Sequence, residues 1–345
     1  MKHAIIPLFI PHYGCPHQCI FCNQIRITGH TTPVTAREAA ETIERYRGTG
    51  SGDRYWEAAF YGGSFTALPL PVMESLLRPA WQALQENRIQ GIRLSTRPDC
   101  INGPVLTLLK RMGVSTVELG VQSLDEEVLR QAGRGHTAQD AAEAVRQLRE
   151  AGFRVGLQFM IGLPGETDAS LRSTARCGAA LHPDFVRLYP VLVLRGTRLQ
   201  QMYEAGEYRP LTVQEAVLRC AFLKRWYGAH EIPVIRMGLQ ATAELDGGEG
   251  LLAGPYHAAF GELVDQAIVF HNLYRALFPL RHPVEIICHP ADRSKVMGQH
   301  RKSWERLCRQ FGLQRCREQS SVEPGTAVVK MEAGDVPVML YREIK

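Results

Sequence analysis

The chain has 345 residues, 45% of them hydrophobic and 22% charged, the balance of a globular protein with room for one large domain or two ordinary ones. That balance excludes a disordered chain, a coiled coil and a fibre. No apolar run approaches the roughly 20 residues of a membrane-spanning helix, so a cytoplasmic protein with no membrane partner is expected.

Forty Lys and Arg against 35 Asp and Glu leave a net charge of +5, which permits an anionic partner without demanding one. Along the chain, the first apolar run, 4–10, reads as a buried strand. The loop after it carries Cys15, Cys19 and Cys22; the other six of the nine cysteines are scattered singly. An odd count spread this way argues for reduced thiols, three of them gathered for metal. Helical patterns then alternate with strand-like runs. The helices are expected at 36–46, 71–87, 104–112, 126–132, 138–151 and 170–181, and the strands at 56–61, 92–95, 116–121, 155–161 and 185–194. Thr35 with Glu38 and Thr212 with Glu215 form capping boxes, and Gly113 and Gly152 sit where helices should stop. Such alternation favours an α/β fold with a parallel sheet, either a partial barrel of six units or a doubly wound sheet. In both, a site belongs in the loops at the C-terminal ends of the strands.

After a helix at 213–227 and the segment 234–240 the texture changes. Four glycines at 247, 248, 250 and 254 mark a loop or boundary, followed by helical patterns at 256–270 and 303–311 and strand-like runs at 284–288, 327–331 and 336–342. The expected division is a barrel domain over 1–240 and a small α/β domain over 241–345, a candidate substrate-binding cap. Between Arg281 and Arg317 nine Lys and Arg stand against three Asp and Glu, an excess larger than that of the whole chain. Arg301 and Lys302, just ahead of a helix, are candidates for binding phosphates; a solvated helix face is the alternative.

Thiolates are soft ligands that select zinc, copper(I) or iron–sulfur clusters. Zinc would need a fourth ligand here, His12 or His17, because no second pair of closely spaced cysteines exists. Three thiolates on a 4Fe–4S cluster would leave one iron open to a small molecule.

The spacing Cys15-x3-Cys19-x2-Cys22, with aromatic Phe21 before the last cysteine, resembles the signature of the radical S-adenosylmethionine (SAM) superfamily. Tyr61-Gly62-Gly63-Ser64 resembles that superfamily's GGE-type motif, with Ser64 in the acidic position; a plain turn accounts for the glycine pair equally well in isolation. Residues 94–99, 117–123, 134–137 and 188–197 resemble the radical SAM core of the Elongator catalytic subunit, and 161–167 resembles a GxIxGxxE-type element. The resemblance implies a partial (β/α)6 TIM-type barrel, a 4Fe–4S cluster on the three cysteines and SAM as the second cofactor. It also implies an external electron donor such as flavodoxin or ferredoxin. Phe21, Gly62, Gly63, Ser64, Ser95, Arg97, Gln122, Ile161 and Tyr189 are the positions it suggests for SAM. Glu118 reads as a polar group of the barrel interior. Arg236 and His257 lie in segments that resemble the C-terminal extension of Elongator-like proteins, and are candidates for substrate contact, or for closing the barrel mouth and capping a helix.

The implied activity is reductive cleavage of SAM, with RNA, in particular tRNA, as the leading substrate class. A small metabolite or peptide is the alternative, and a zinc-stabilised, non-catalytic module the third reading. The Elongator subunit spaces its first two cluster cysteines more widely and carries an acetyltransferase domain for which this chain has no room, so a relative rather than that protein is expected.

Overall fold

The computed structural model describes residues 2–10, 13–23, 32, 34–49, 54–239, 250–280, 283–332 and 334–341. Packing divides the chain into two compact units, Met1–Leu211 with Leu239–Pro255, and Thr212–Gly238 with Tyr256–Lys345.

The first unit alternates β1 (Lys2–Ile10), α1 (Ala36–Thr49), β2 (Arg54–Gly62), α2 (Leu70–Gln85), β3 (Gly91–Thr96), α3 (Gly103–Arg111), β4 (Thr116–Gln122), α4 (Glu126–Gln131), α5 (Ala138–Glu150), β5 (Arg154–Ile161), α6 (Asp168–Ala180) and β6 (Phe185–Pro190). The six strands pair in sequence order, every pair parallel.

Alternation along each strand sorts the side chains by face. One set is apolar and buried: Ile6, Leu8 and Ile10, then Ala58 and Phe60, Ile92 and Leu94, Val117, Leu119 and Val121, Leu157 and Phe159, Val186 and Leu188. The other set carries the charges. Arg187 on β6 donates to the Tyr61 hydroxyl on β2 at 3.2 Å. In a flat sheet those strands would stand about 19 Å apart, four strand spacings. The sheet is therefore curled, with the charged set on its inner face, which makes it the expected partial barrel rather than a doubly wound sheet.

Local chemistry sets the element ends. The capping box of Thr35 and Glu38 forms, as does that of Thr212 and Glu215. Two more were not anticipated, Thr137 with Asp140 on α5 and Thr167 with Ser170 on α6, because Asp and Ser stand where Glu or Gln is expected. Gly113 takes φ +69° and stops α3, its amide bonded to the Lys110 carbonyl.

The run 185–194 is not one strand. β6 ends at Pro190, and β7 (Val193–Leu194) pairs antiparallel with Leu251–Ala253, inside the segment expected to be loop. Helix α7 (Arg198–Glu204) follows, starting at a Thr197 cap.

The second unit holds helix α8 (Val213–Ala229), a strand at Val234–Met237, helix Phe260–Leu277 and a four-stranded sheet. In spatial order the strands of that sheet are Arg315–Glu318, Pro283–Cys288, Thr326–Met331 and Gly334–Met339. Its core gathers Leu273, Leu277, Ile286, Trp304, Leu307 and Val329. The helix expected from 256 starts only at Phe260. Part of the local basic excess is spent internally, since Arg315 and Arg317 both reach the buried Glu285 and Arg306 lies over the Phe270 ring.

Candidate active site at the ends of the barrel strands

The cysteine loop leaves the C-terminal end of β1 and is clasped by the turn after β2. The Gly63 amide donates to the Ile10 carbonyl at 2.9 Å and the Ser64 amide to the Tyr13 carbonyl at 3.0 Å. A Cβ on Gly63 would stand 2.0 Å from the Tyr13 carbonyl oxygen, and one on Gly14 2.5 Å from that of Ser64. Backbone packs on backbone here, which only glycine permits.

The far side of the loop is held by the turn after α4 and by α7. Ile20 donates its amide to the Ala132 carbonyl and accepts from the Leu199 amide. Ile20 and Phe21 sink into an apolar cluster with Val128, Leu163, Val191, Leu199 and Tyr208. Cys19 is buried, and Cys15 and Cys22 are partly buried. Among the described residues no group of three His, Cys, Asp or Glu is gathered as a single metal ion would require.

One contact to the thiols stands out. Arg134, just after α4, donates from Nη1 to Cys19 Sγ at 3.0 Å and from Nη2 to the Gly120 carbonyl, while its buried Nε has no partner. Arg97 is fixed by Asp99, with Nε to Oδ1 at 2.9 Å, and its other end donates to the Arg134 carbonyl. Arg97 thereby braces the main chain of Arg134. His136, beneath them, bonds the Val121 carbonyl through Nε2 at 3.2 Å. Burial, then the charges of Arg134 and Arg97, push its pKa down to about 4, so it is neutral at pH 7.

A stability consequence follows. Unfolded His136 titrates near 6.5, so between pH 6.5 and 4 the unfolded chain binds the extra proton and acid destabilises the fold. About 3 kcal/mol should be lost across that window through this residue, and a His136→Gln variant should show a correspondingly flatter urea-midpoint profile. Equal pH slopes in the two proteins would refute this.

The remaining suggested positions fall into three groups. Gln122 ends β4 at an irregularity in the register, with φ +69° and a buried Oε1 that has no partner. A non-glycine residue held in that conformation with an orphaned polar atom is strained, as residues that await a ligand often are. Gly62, Ser95 and Tyr189 are half-buried, Ser95 and Tyr189 on the inner face. Ser64 and Ile161 turn inward. The Ser64 hydroxyl lies 3.2 Å from that of Thr96, and Ile161 is fully buried with its carbonyl accepting from the Val191 amide. Phe21 contributes to the apolar anchor.

Arg236 is half-buried in the second unit, on the strand Val234–Met237. His257 precedes the helix Phe260–Leu277, accepts the Ala259 amide on Nδ1 at 3.1 Å, and its Nε2 lies 3.3 Å from the Gln299 side-chain nitrogen. Arg301 and Lys302 are exposed.

Sequence reading placed Glu118 in the barrel interior but missed the ion pairs that fill the inner face around it. Glu118, 2% exposed, accepts from Arg93 at 2.8 Å and from Arg187 at 3.0 Å, and Arg93 also donates to Glu57 at 2.7 Å. Burial raises the Glu118 pKa, opposed by the two guanidiniums; burial disfavours the Arg187 charge, but Glu118, Tyr189 and Tyr61 outweigh it and raise that pKa. The signal was present, since single charges at alternate positions of apolar strands must face one another across a lumen.

A curled parallel sheet with a thiol-bearing loop at the end of its first strand defines a class. The profile of the radical SAM superfamily matches residues 9–177 and that of the radical SAM C-terminal domain residues 183–269; the chain belongs to this superfamily and is an enzyme of its class. Within it, the relatives are Elongator-like. The chain is 26% identical over 289 residues to the tRNA uridine(34) acetyltransferase of Methanocaldococcus jannaschii, covering 71% of this chain and 53% of that protein. It is 30% identical over 293 residues to mouse Elongator complex protein 3, covering 69% and 53%. An uncharacterised protein of M. jannaschii is 30% identical over 226 residues, covering 61% of this chain and 68% of that one. Among solved structures, archaeal M. infernus Elp3 with an N-terminal deletion shares the fold, with a TM-score of 0.62, 22% identity, and coverage of 77% of this chain and 62% of that one. The chain thus spans about half the length of the acetyltransferase and Elongator relatives that it matches.

Proposed function

We propose that the protein holds a 4Fe–4S cluster on Cys15, Cys19 and Cys22 and acts with SAM to modify RNA, a tRNA first among candidates. The observation that carries the reading is the set of three thiols on one loop, with the Arg134 guanidinium aimed at one of their sulfurs. The donor set fits: soft ligands, a cationic donor beside them, and an orphaned Gln122 Oε1 at the end of β4, the strand whose Gly120 carbonyl that donor also meets. When bound, the pair would supply a 5′-deoxyadenosyl radical by one-electron cleavage of the sulfonium, the electron coming from a carrier such as flavodoxin or ferredoxin.

This chain's residues have the remaining tasks. Ile20 and Phe21 anchor the thiol loop, and the Gly62–Gly63 turn sets its distance from β2. Gln122 would accept a hydrogen bond from SAM, and Ser95 and Tyr189 would present hydroxyls to it from the inner face. RNA as substrate is supported by the relatives' activities and by the exposed Arg301 and Lys302.

Anaerobic reconstitution followed by reduction with SAM should yield 5′-deoxyadenosine, and a Cys19→Ala variant should yield none. Equal yield from that variant would refute the cluster assignment. tRNA binding should weaken with salt and with Arg301→Ala/Lys302→Ala. Binding indifferent to both would favour a small substrate.

A further inference from the structure

Arg134 is 6% exposed, yet among the described residues no carboxylate pairs with it. A buried guanidinium without a countercharge is costly, several kcal/mol in general, unless an anion joins it. Its side-chain bonds tie the thiol loop to the end of β4. Nη1 meets Cys19 Sγ, Nη2 meets Gly120 at the end of β4, and Arg97, clamped by Asp99, holds its main chain.

We infer that Arg134 is a positioning residue for the cluster, fixing the Cys19 sulfur and raising the potential at which the cluster takes up its electron. This deepens the cluster reading above and rests on it. The physical argument has two parts. A thiolate bound to iron is the anion that the guanidinium lacks. A cationic N–H donor to that sulfur then favours the reduced, more negative state over the oxidised one. Because the Gly120 carbonyl holds the guanidinium and Arg97 holds the main chain behind it, the donor stays directed at the sulfur as the charge changes. His136, neutral beside it, adds no competing charge.

The test compares wild type, Arg134→Lys and Arg134→Met after anaerobic reconstitution. It measures iron per chain, thermal unfolding and the midpoint potential by spectroelectrochemical titration. At the wild-type midpoint, where reduced and oxidised cluster are equal, the methionine variant should hold about a tenth as much reduced as oxidised, a tenfold change in a one-electron ratio. Lysine, which keeps the charge but cannot reach both Sγ and the Gly120 carbonyl, should fall between. A loaded methionine variant with the wild-type midpoint would overturn the proposal. Should methionine prevent loading, lysine decides, and an unshifted midpoint there overturns it equally. Failure of the wild type itself to take up iron and sulfide would instead remove the cluster reading beneath it.

Discussion

Replacing Glu118 with alanine should cost about 3–5 kcal/mol of unfolding free energy, the largest single-residue loss expected in the first unit. The carboxylate is the only acid that joins β3 to β6 on the inner face among the described residues, receiving Arg93 on one side and Arg187 on the other. Its removal leaves two guanidiniums close together with Glu57 alone to balance them. Two N–H donors, from Arg93 and Arg187, converge on its Oε1, and the Arg187 Nε lies 2.8 Å from Oε2 as an ion pair, so the acceptor-only ionised form is the one that fits. Glu118→Gln should lose less, since the amide oxygen still accepts while the charge is gone. Urea midpoints at unchanged m-value read this directly. A loss under about 1 kcal/mol would mean that the arginines rehydrate in the lumen.

The second large effect is expected at Gly63. A methyl group there meets the main-chain oxygens of Tyr13 and Ile10, at 2.0 and 2.7 Å, and backbone cannot rotate aside as a side chain would. Overpacking of this kind costs about 1–3 kcal/mol in stability. The loss in function should be greater, because relief requires the thiol loop to lift away from β2. We expect Gly63→Ala to lower iron bound per chain after reconstitution by about tenfold, on the scale of a lost supporting contact at a metal site. Gly48→Ala is the control, with nothing within 4 Å of its added carbon and a helix around it. Full iron content in Gly63→Ala would show that the clasp is dispensable.

These two residues illustrate how far the sequence could be read. The strand–helix order was legible because apolar periodicity records burial, and burial decides most of the sheet and its helices. The thiol loop was legible because three cysteines within eight positions of a reduced chain point to soft-metal ligation and to little else. Gly63 was legible as a special position but for another reason: its freedom serves the backbone of the thiol loop, a partner remote in sequence. The bond from Arg97 to the Arg134 carbonyl was not legible, since nothing local announces a partner 37 residues on. The lumen network needs the curl of the sheet to bring β2 and β6 together, and curl is a property of six strands at once. β6 ends at Pro190, which has no amide to donate, and the run 185–194 divides there.

The strand that delivers the thiol loop stands at one margin of the barrel sheet, and among the described residues it pairs with β2 alone. A strand secured along one side opens at lower free energy than its interior neighbours, so the β1 amides should exchange with solvent deuterium before those of β3 to β5. Anything that ties the loop to the sheet then closes β1 by mass action, with the protecting free energy growing as the logarithm of ligand concentration above its dissociation constant. Slowed deuterium uptake confined to β1 would therefore report a filled site in the absence of turnover.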